Sequence, residues 1–103
     1  MKTVEELDIP KLTTEQTEQL CSTAEETARK HVLHKIPSKK IEKLNICAEV
    51  RGTKPVKLTV DIEIVLSPAA KGIREQEIID QAVQEAFKHA ENYLRKLKCH
   101  SPT

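Results

Sequence analysis

Positions 56 to 66 read Val-Lys-Leu-Thr-Val-Asp-Ile-Glu-Ile-Val-Leu. Val56, Leu58, Val60, Ile62, Ile64 and Leu66 share one parity, and Lys57, Thr59, Asp61 and Glu63 the other. Successive side chains of a strand project to opposite faces, so this run predicts a strand with one apolar and one wet face. Leu44, Ile46, Ala48 and Val50 alternate in the same way with Asn45, Cys47, Glu49 and Arg51, which predicts a first strand over 44–51. Gly52 and Pro55 lie between the two runs. Both are turn residues, so the strands should form an antiparallel hairpin. Charge suggests a register: Val50 opposite Val56 would also set Glu49 against Lys57 and Lys43 against Glu63. Sliding by one pair would instead oppose Arg51 to Lys57. Opposite charges across a pair contribute roughly 0.2–1 kcal/mol and like charges are unfavourable, so the first register is expected.

Helical periodicity flanks the hairpin. Leu20, Cys21, Ala24, Ala28 and Val32 recur on one face of a segment predicted as a helix over about 14–35. Thr13 and Gln16 have the spacing of a capping box at its start. Glu25 and Glu26 each stand four residues before a base, Arg29 and Lys30, the favourable order for helical ion pairs. Pro37 disfavours helical geometry at Ile36 and should end the helix; Ser38 to Ile41 then make a single turn. Ile79, Ala82, Val83, Ala86, Phe87, Ala90, Leu94 and Leu97 follow the i, i+3, i+4, i+7 pattern of a second helix over about 74–98.

The predicted architecture is therefore α+β: helix, strand, strand, helix, with both helices on the apolar face of the hairpin. Residues 13–99 form the domain, 1–12 an arm interrupted by Pro10, and 100–103 a flexible tail. A hairpin alone is marginal and has two open edges. Either the arm adds a strand, or two copies join edge to edge; the Ile64 to Leu66 end of the longer strand is the stretch left without an obvious partner.

Composition narrows the function classes. A chain of 103 residues holds one domain. No apolar run approaches the ~20 residues of a membrane span. The N-terminus carries Glu5 and Glu6 where a secretory signal would have a basic and then an apolar stretch, which leads to the expectation of a cytoplasmic protein. Three cysteines, Cys21, Cys47 and Cys99, are poor material for a disulfide framework. The net charge of +1 hides a pattern. Residues 1–28 balance to −5, 29–57 to +7, 58–85 to −4 and 86–103 to +3.

The basic block supplies the first candidate site: Arg29, Lys30, Lys35, Lys39, Lys40, Lys43, Arg51 and Lys54, as contacts for nucleic acid or another anion. The start of the first strand and the hairpin loop are about 20 Å apart at the usual rise, so these bases would make a stripe, not a pocket. Solvated surface lysines are the simpler account. Phe87 and Tyr93 are the only aromatics, few for a protein that stacks on RNA bases. His31 and His34 have a helical spacing that suits a metal, but no third ligand is placed beside them. Asp61 and Glu63 sit on a solvated strand face, where nothing separates their acidities as acid–base chemistry needs. Cys47 shares that face; Lys57, diagonally across, is the one reason to expect a lowered thiol pKa. No catalytic residue, metal ligand or cofactor contact is assigned.

Several segments, taken together, resemble a known family. They are Leu12-Thr13-Thr14-Glu15, Ala24-Glu25-Glu26-Thr27-Ala28-Arg29-Lys30, Ile36-Pro37-Ser38-Lys39-Lys40-Ile41-Glu42, the long alternating strand, and Ala82-Val83-Gln84-Glu85-Ala86-Phe87. In their order and spacing, over about residues 12–99, they are similar to a small archaeal family catalogued as a domain of unknown function. The resemblance implies no catalytic residue. It does imply a genomic setting near the prefoldin beta subunit and near translation and transcription components.

The expectation is a non-enzymatic, cytoplasmic binding module acting through a protein partner or through self-association at an open sheet edge. The alternatives are an RNA-associated accessory protein using residues 29–57, and an enzyme of undefined reaction.

Overall fold

Two long helices lie side by side across one face of a three-stranded antiparallel sheet. The structure, a computed structural model, describes residues 2–52, 56–68 and 70–99, with backbone alone at Lys2, Lys98 and Cys99. In chain order the elements are β1 (Lys2–Ile9), α1 (Thr14–Lys35), a 3-10 turn (Ser38–Lys40), β2 (Ile41–Arg51), β3 (Val56–Leu66) and α2 (Glu75–Cys99). The α+β class and the helix, strand, strand, helix sequence stand as expected. The 100–103 tail and the Thr53 to Pro55 part of the hairpin loop lie outside the described residues.

The arm is where the architecture gains an element. Residues 2–9 are extended and pair antiparallel with β3 from Lys2 opposite Glu63 to Ile9 opposite Val56. The strand order is thus β1-β3-β2. This overturns the expectation of an unpaired end on β3. The strand is central, and its last residues are matched by β2, which begins at Ile41 instead of 44 and reaches Leu66. A register shift between Ile41 and Lys43 inserts one extra residue there, the geometry of a β-bulge. The Ser67 amide donates to the Lys40 carbonyl at 2.8 Å and closes this end of the sheet.

The hairpin register also differs from expectation. Val50 lies opposite Leu58, Ile46 opposite Ile62, and Arg51 opposite Lys57, the like-charge pair that charge matching had disfavoured. The third strand supplies the reason. Lys57 turns to Glu6 on β1 at 3.3 Å, and Arg51 turns along its own strand to Glu49 at 2.6 Å. Each cation has its own carboxylate, so facing each other costs little. Lys43 still reaches Glu63 at 3.1 Å, but as a diagonal neighbour. With Gly52 at φ 85°, the chain enters the loop in a conformation that glycine adopts without steric cost.

The core is one layer between sheet and helices. Leu58, Val60, Ile62 and Ile64 of β3 are fully buried, as are Leu20, Ala24, Ala28 and Val32 of α1 and Ile79, Ala82, Ala86 and Ala90 of α2. Alanines on both buried stripes let the helix axes approach closely. The apolar parity of β3 faces this layer, and no described polar or charged residue is buried. Thr13 caps α1 as its spacing implied: the Gln16 amide donates to Thr13 Oγ1 at 3.1 Å and the Thr13 amide to Gln16 Oε1 at 3.0 Å. The helix ends at Ile36, which takes the extended φ/ψ of −125°/119° favoured before proline. Among the described residues no helix is long and apolar enough to cross a membrane.

Candidate functional site

A three-stranded sheet with a central β3 has two edges, β1 and β2, and they are treated differently. α1 overlies β2, and Glu25 reaches down from it, its carboxylate accepting the Ala48 amide at 3.0 Å. Glu25 was expected to pair with Arg29 along the helix; it instead occupies a strand-edge donor. A carboxylate on an edge amide removes a hydrogen-bonding position that another strand would need. Among the described residues β1 has no such guard. Its far side carries no backbone hydrogen bond outside its pairing with β3, and Val4 is 51% exposed.

A groove runs beside that open edge. Glu5 of β1 and Asp80, Val83, Gln84 and Phe87 of α2 line a cavity of about 370 Å³. Val83 and Phe87 give it an apolar floor, and both belong to the core packing. Glu5 and Asp80 give it an acidic rim; Asp80 accepts from Gln76 Nε2 at 2.7 Å. Glu5 has no ion-pair partner among the described residues, and neither has Asp8 further along the strand. The sequence reading assigns none of these positions to a site. Thr3, Glu5, Leu7 and Ile9 mix polar and apolar on one parity, so the arm carried no strand signal. Nothing in the linear order placed residue 5 beside residue 80.

The basic positions are distributed over several surfaces. Lys43 and Arg51 lie on the outer sheet face, each in an ion pair. Arg29 lines a separate recess of about 370 Å³ with Leu44 to Cys47, Asp61 and Glu63. Lys30 lines a groove between the helices. Lys35 and Lys39 are exposed at the α1–β2 turn, where Lys40 is half-buried. Among the described positions of the eight, these three lie together at one turn. Lys54 lies outside the described residues.

The inter-helix groove, about 460 Å³, gathers His31, His34 and His89 with Glu26 and Glu85. The imidazoles are engaged separately: His31 Nε2 is 3.3 Å from Gln81 Oε1, and His89 Nε2 is 3.8 Å from Glu85. Among the described residues no three His, Cys, Asp or Glu side chains are grouped as a metal site.

The Cys47 thiol runs against the sequence expectation, and Cys21 shifts in the same direction. Cys47 is exposed, yet partial desolvation and then the Glu49 carboxylate, which accepts from its Sγ at 3.5 Å, push its pKa up. Burial and then Glu25 do the same to Cys21. Lys57, expected to lower the Cys47 pKa, is committed to Glu6. Glu49 itself is held below the usual carboxylate range, first by its hydrogen bonds from Arg51 and then by that from Cys47.

The same arrangement of helices and antiparallel sheet is found in two solved structures. A crystal structure of a protein from Thermococcus onnurineus NA1 has a TM-score of 0.87 at 20% identity, over 98% of this chain and 97% of that one. The solution structure of the hypothetical protein mth677 from Methanothermobacter thermautotrophicus has a TM-score of 0.72 at 23% identity, over 87% and 97%. At these identities the likeness is one of fold: a small α+β class with a two-helix layer on one sheet face. No curated protein matches the chain. Residues 9–93 match the family described as "Protein of unknown function (DUF3194)", and the chain belongs to that family.

Proposed function

We propose that this chain is a non-enzymatic, cytoplasmic binding module that acts through a protein partner. The observation that carries the reading is the asymmetry of the sheet: β2 has Glu25 on its edge, while β1, among the described residues, is open and flanked by a groove. An exposed edge supplies main-chain donors and acceptors to an extended segment, and an adjacent groove supplies side-chain selectivity. A setting in the protein-folding or translation machinery rests on the family resemblance alone.

The test is affinity capture from the native host with and without nuclease. A stoichiometric protein that survives nuclease treatment supports the reading. A partner released by nuclease favours the RNA-associated alternative, which draws on the exposed Lys35 and Lys39 and the half-buried Lys40. That alternative also predicts binding that weakens steeply with salt. Self-association, the other form of the binding-module reading, requires dimers in sedimentation at about tens of micromolar, far above common interface dissociation constants.

A further inference from the structure

We infer that the β1 edge and the groove beside α2 bind an extended peptide segment of a partner protein carrying Lys or Arg at alternate positions. This rests on the protein-partner reading and names the chemistry of the partner. A strand added to β1 would place every second side chain on the helix side of the sheet. There it meets the apolar floor of Val83 and Phe87 and the carboxylates of Glu5 and Asp80. A long basic side chain satisfies both, its methylene stem on the floor and its charge at the rim. On the other face the added strand passes Val4, Glu6 and Asp8, and Asp8 has no ion-pair partner among the described residues. Lys57 is engaged with Glu6 at 3.3 Å, and Lys88, the first base along α2, lies one turn beyond Gln84. Among the described residues that line the groove, the charged ones, Glu5 and Asp80, are therefore both acidic.

Charge also favours a basic segment over a second copy as the occupant, because each self-paired register keeps a glutamate facing its own copy. Two β1 strands meeting antiparallel with like faces aligned must pair residues of equal parity. Of the two registers with most overlap, one sets Glu6 directly against Glu6, and the other sets Glu5 against Glu5 with Lys2 opposite Asp8 on either side. Like charges directly opposite are destabilising. A basic segment removes that repulsion and supplies the missing partners of Glu5 and Asp8.

The test uses two synthetic peptides of the length of β1, one alternating Lys with Val and the other alternating Glu with Val, added to the full chain. Binding is followed by amide chemical shifts and amide hydrogen exchange. The lysine peptide is expected to shift residues of β1 and Asp80 to Phe87, and to slow exchange along β1; the glutamate peptide should do neither. Glu5→Gln combined with Asp80→Asn, both at the surface, should weaken the lysine peptide about tenfold, as loss of charge complementarity does. Glu5→Lys with Asp80→Lys should transfer the preference to the glutamate peptide. A thermal unfolding curve checks that each variant is folded. Absence of binding, shifts confined to β2 or the inter-helix groove, or equal binding by the neutralised variant would each overturn the assignment. A nuclease-resistant partner from the host that the charge-reversed variant captures undiminished would overturn this site while leaving the protein-partner reading intact. Loss of every partner on nuclease treatment would overturn both.

Discussion

At the residue scale, the informative positions carry a charge whose partner differs from the one that linear spacing nominates. Cys47 is an example: the register expected from charge sets Lys57 diagonally across from it, yet in the folded sheet Asp61 lies opposite and the group in contact with the sulfur is Glu49. A carboxylate that accepts from the thiol favours its protonated form. The thiolate, the nucleophilic form, is scarce at neutral pH in consequence. In a chain with Cys21→Ser and Cys99→Ser, alkylation of Cys47 at pH 7.5 should be slower than that of an unstructured cysteine peptide, despite its exposure. Glu49→Gln should speed it several-fold at the same pH, and the pH–rate profile should move to lower pH. Because folding raises this pKa, the stability linked to the protonated thiol is complete below the unfolded thiol value and is lost as pH rises through the folded one. Equal rates in the two proteins would show that Glu49 has no hold on the sulfur.

At the element scale, Glu25 shows how a helix protects a strand. The side chain belongs by spacing to an i, i+4 ion pair worth about 0.3–0.5 kcal/mol. It spends itself on the Ala48 amide, and a hydrogen bond to a charged group contributes about 1.5–3 kcal/mol. The larger interaction wins once β2 lies under α1. Glu25→Ala should lower stability by about 1 kcal/mol or somewhat more in chemical denaturation. Its specific signature is faster hydrogen exchange at the Ala48 amide, with neighbouring β2 amides that face β3 little changed. Unchanged Ala48 exchange would show that the contact gives no protection. Boundaries at this scale were well marked in the sequence. The Thr13 and Gln16 capping box, Pro37 and the alternation of β3 rest on local sterics and hydrogen bonding, and each acts within a few residues. The start of β2 was not, because Ile41 to Lys43 pass through a bulge that breaks the alternation.

At the scale of the whole molecule, β1 makes the sheet what it is. It turns β3 from an edge into a central strand, and it brings Glu6 to Lys57. Removing residues 2–9 should therefore do more than trim a terminus. β3 would expose its backbone over 56–63, and Lys57 would face Arg51 without Glu6. The expected result is a large loss of thermal stability with concentration-dependent association in size-exclusion chromatography, as an open apolar strand invites pairing. A truncated chain that remains monomeric and as stable as the full one would show that β1 is dispensable. The hairpin register belongs to this scale too. Charge matching within two strands selects one alignment, and the presence of a third strand reverses the choice.

The sequence alone determined the class, the two helices, the two long strands and the side of β3 that is buried. Those features follow from periodicity and from capping or turn chemistry, which operate between near neighbours. Only the tertiary structure decided that residues 2–9 join the sheet, which register the hairpin takes, which edge Glu25 covers, and that Glu5 lies beside Asp80. Each of these depends on groups far apart in the chain. Their energies are set by which partners come within a few ångströms after folding, and no local pattern encodes that.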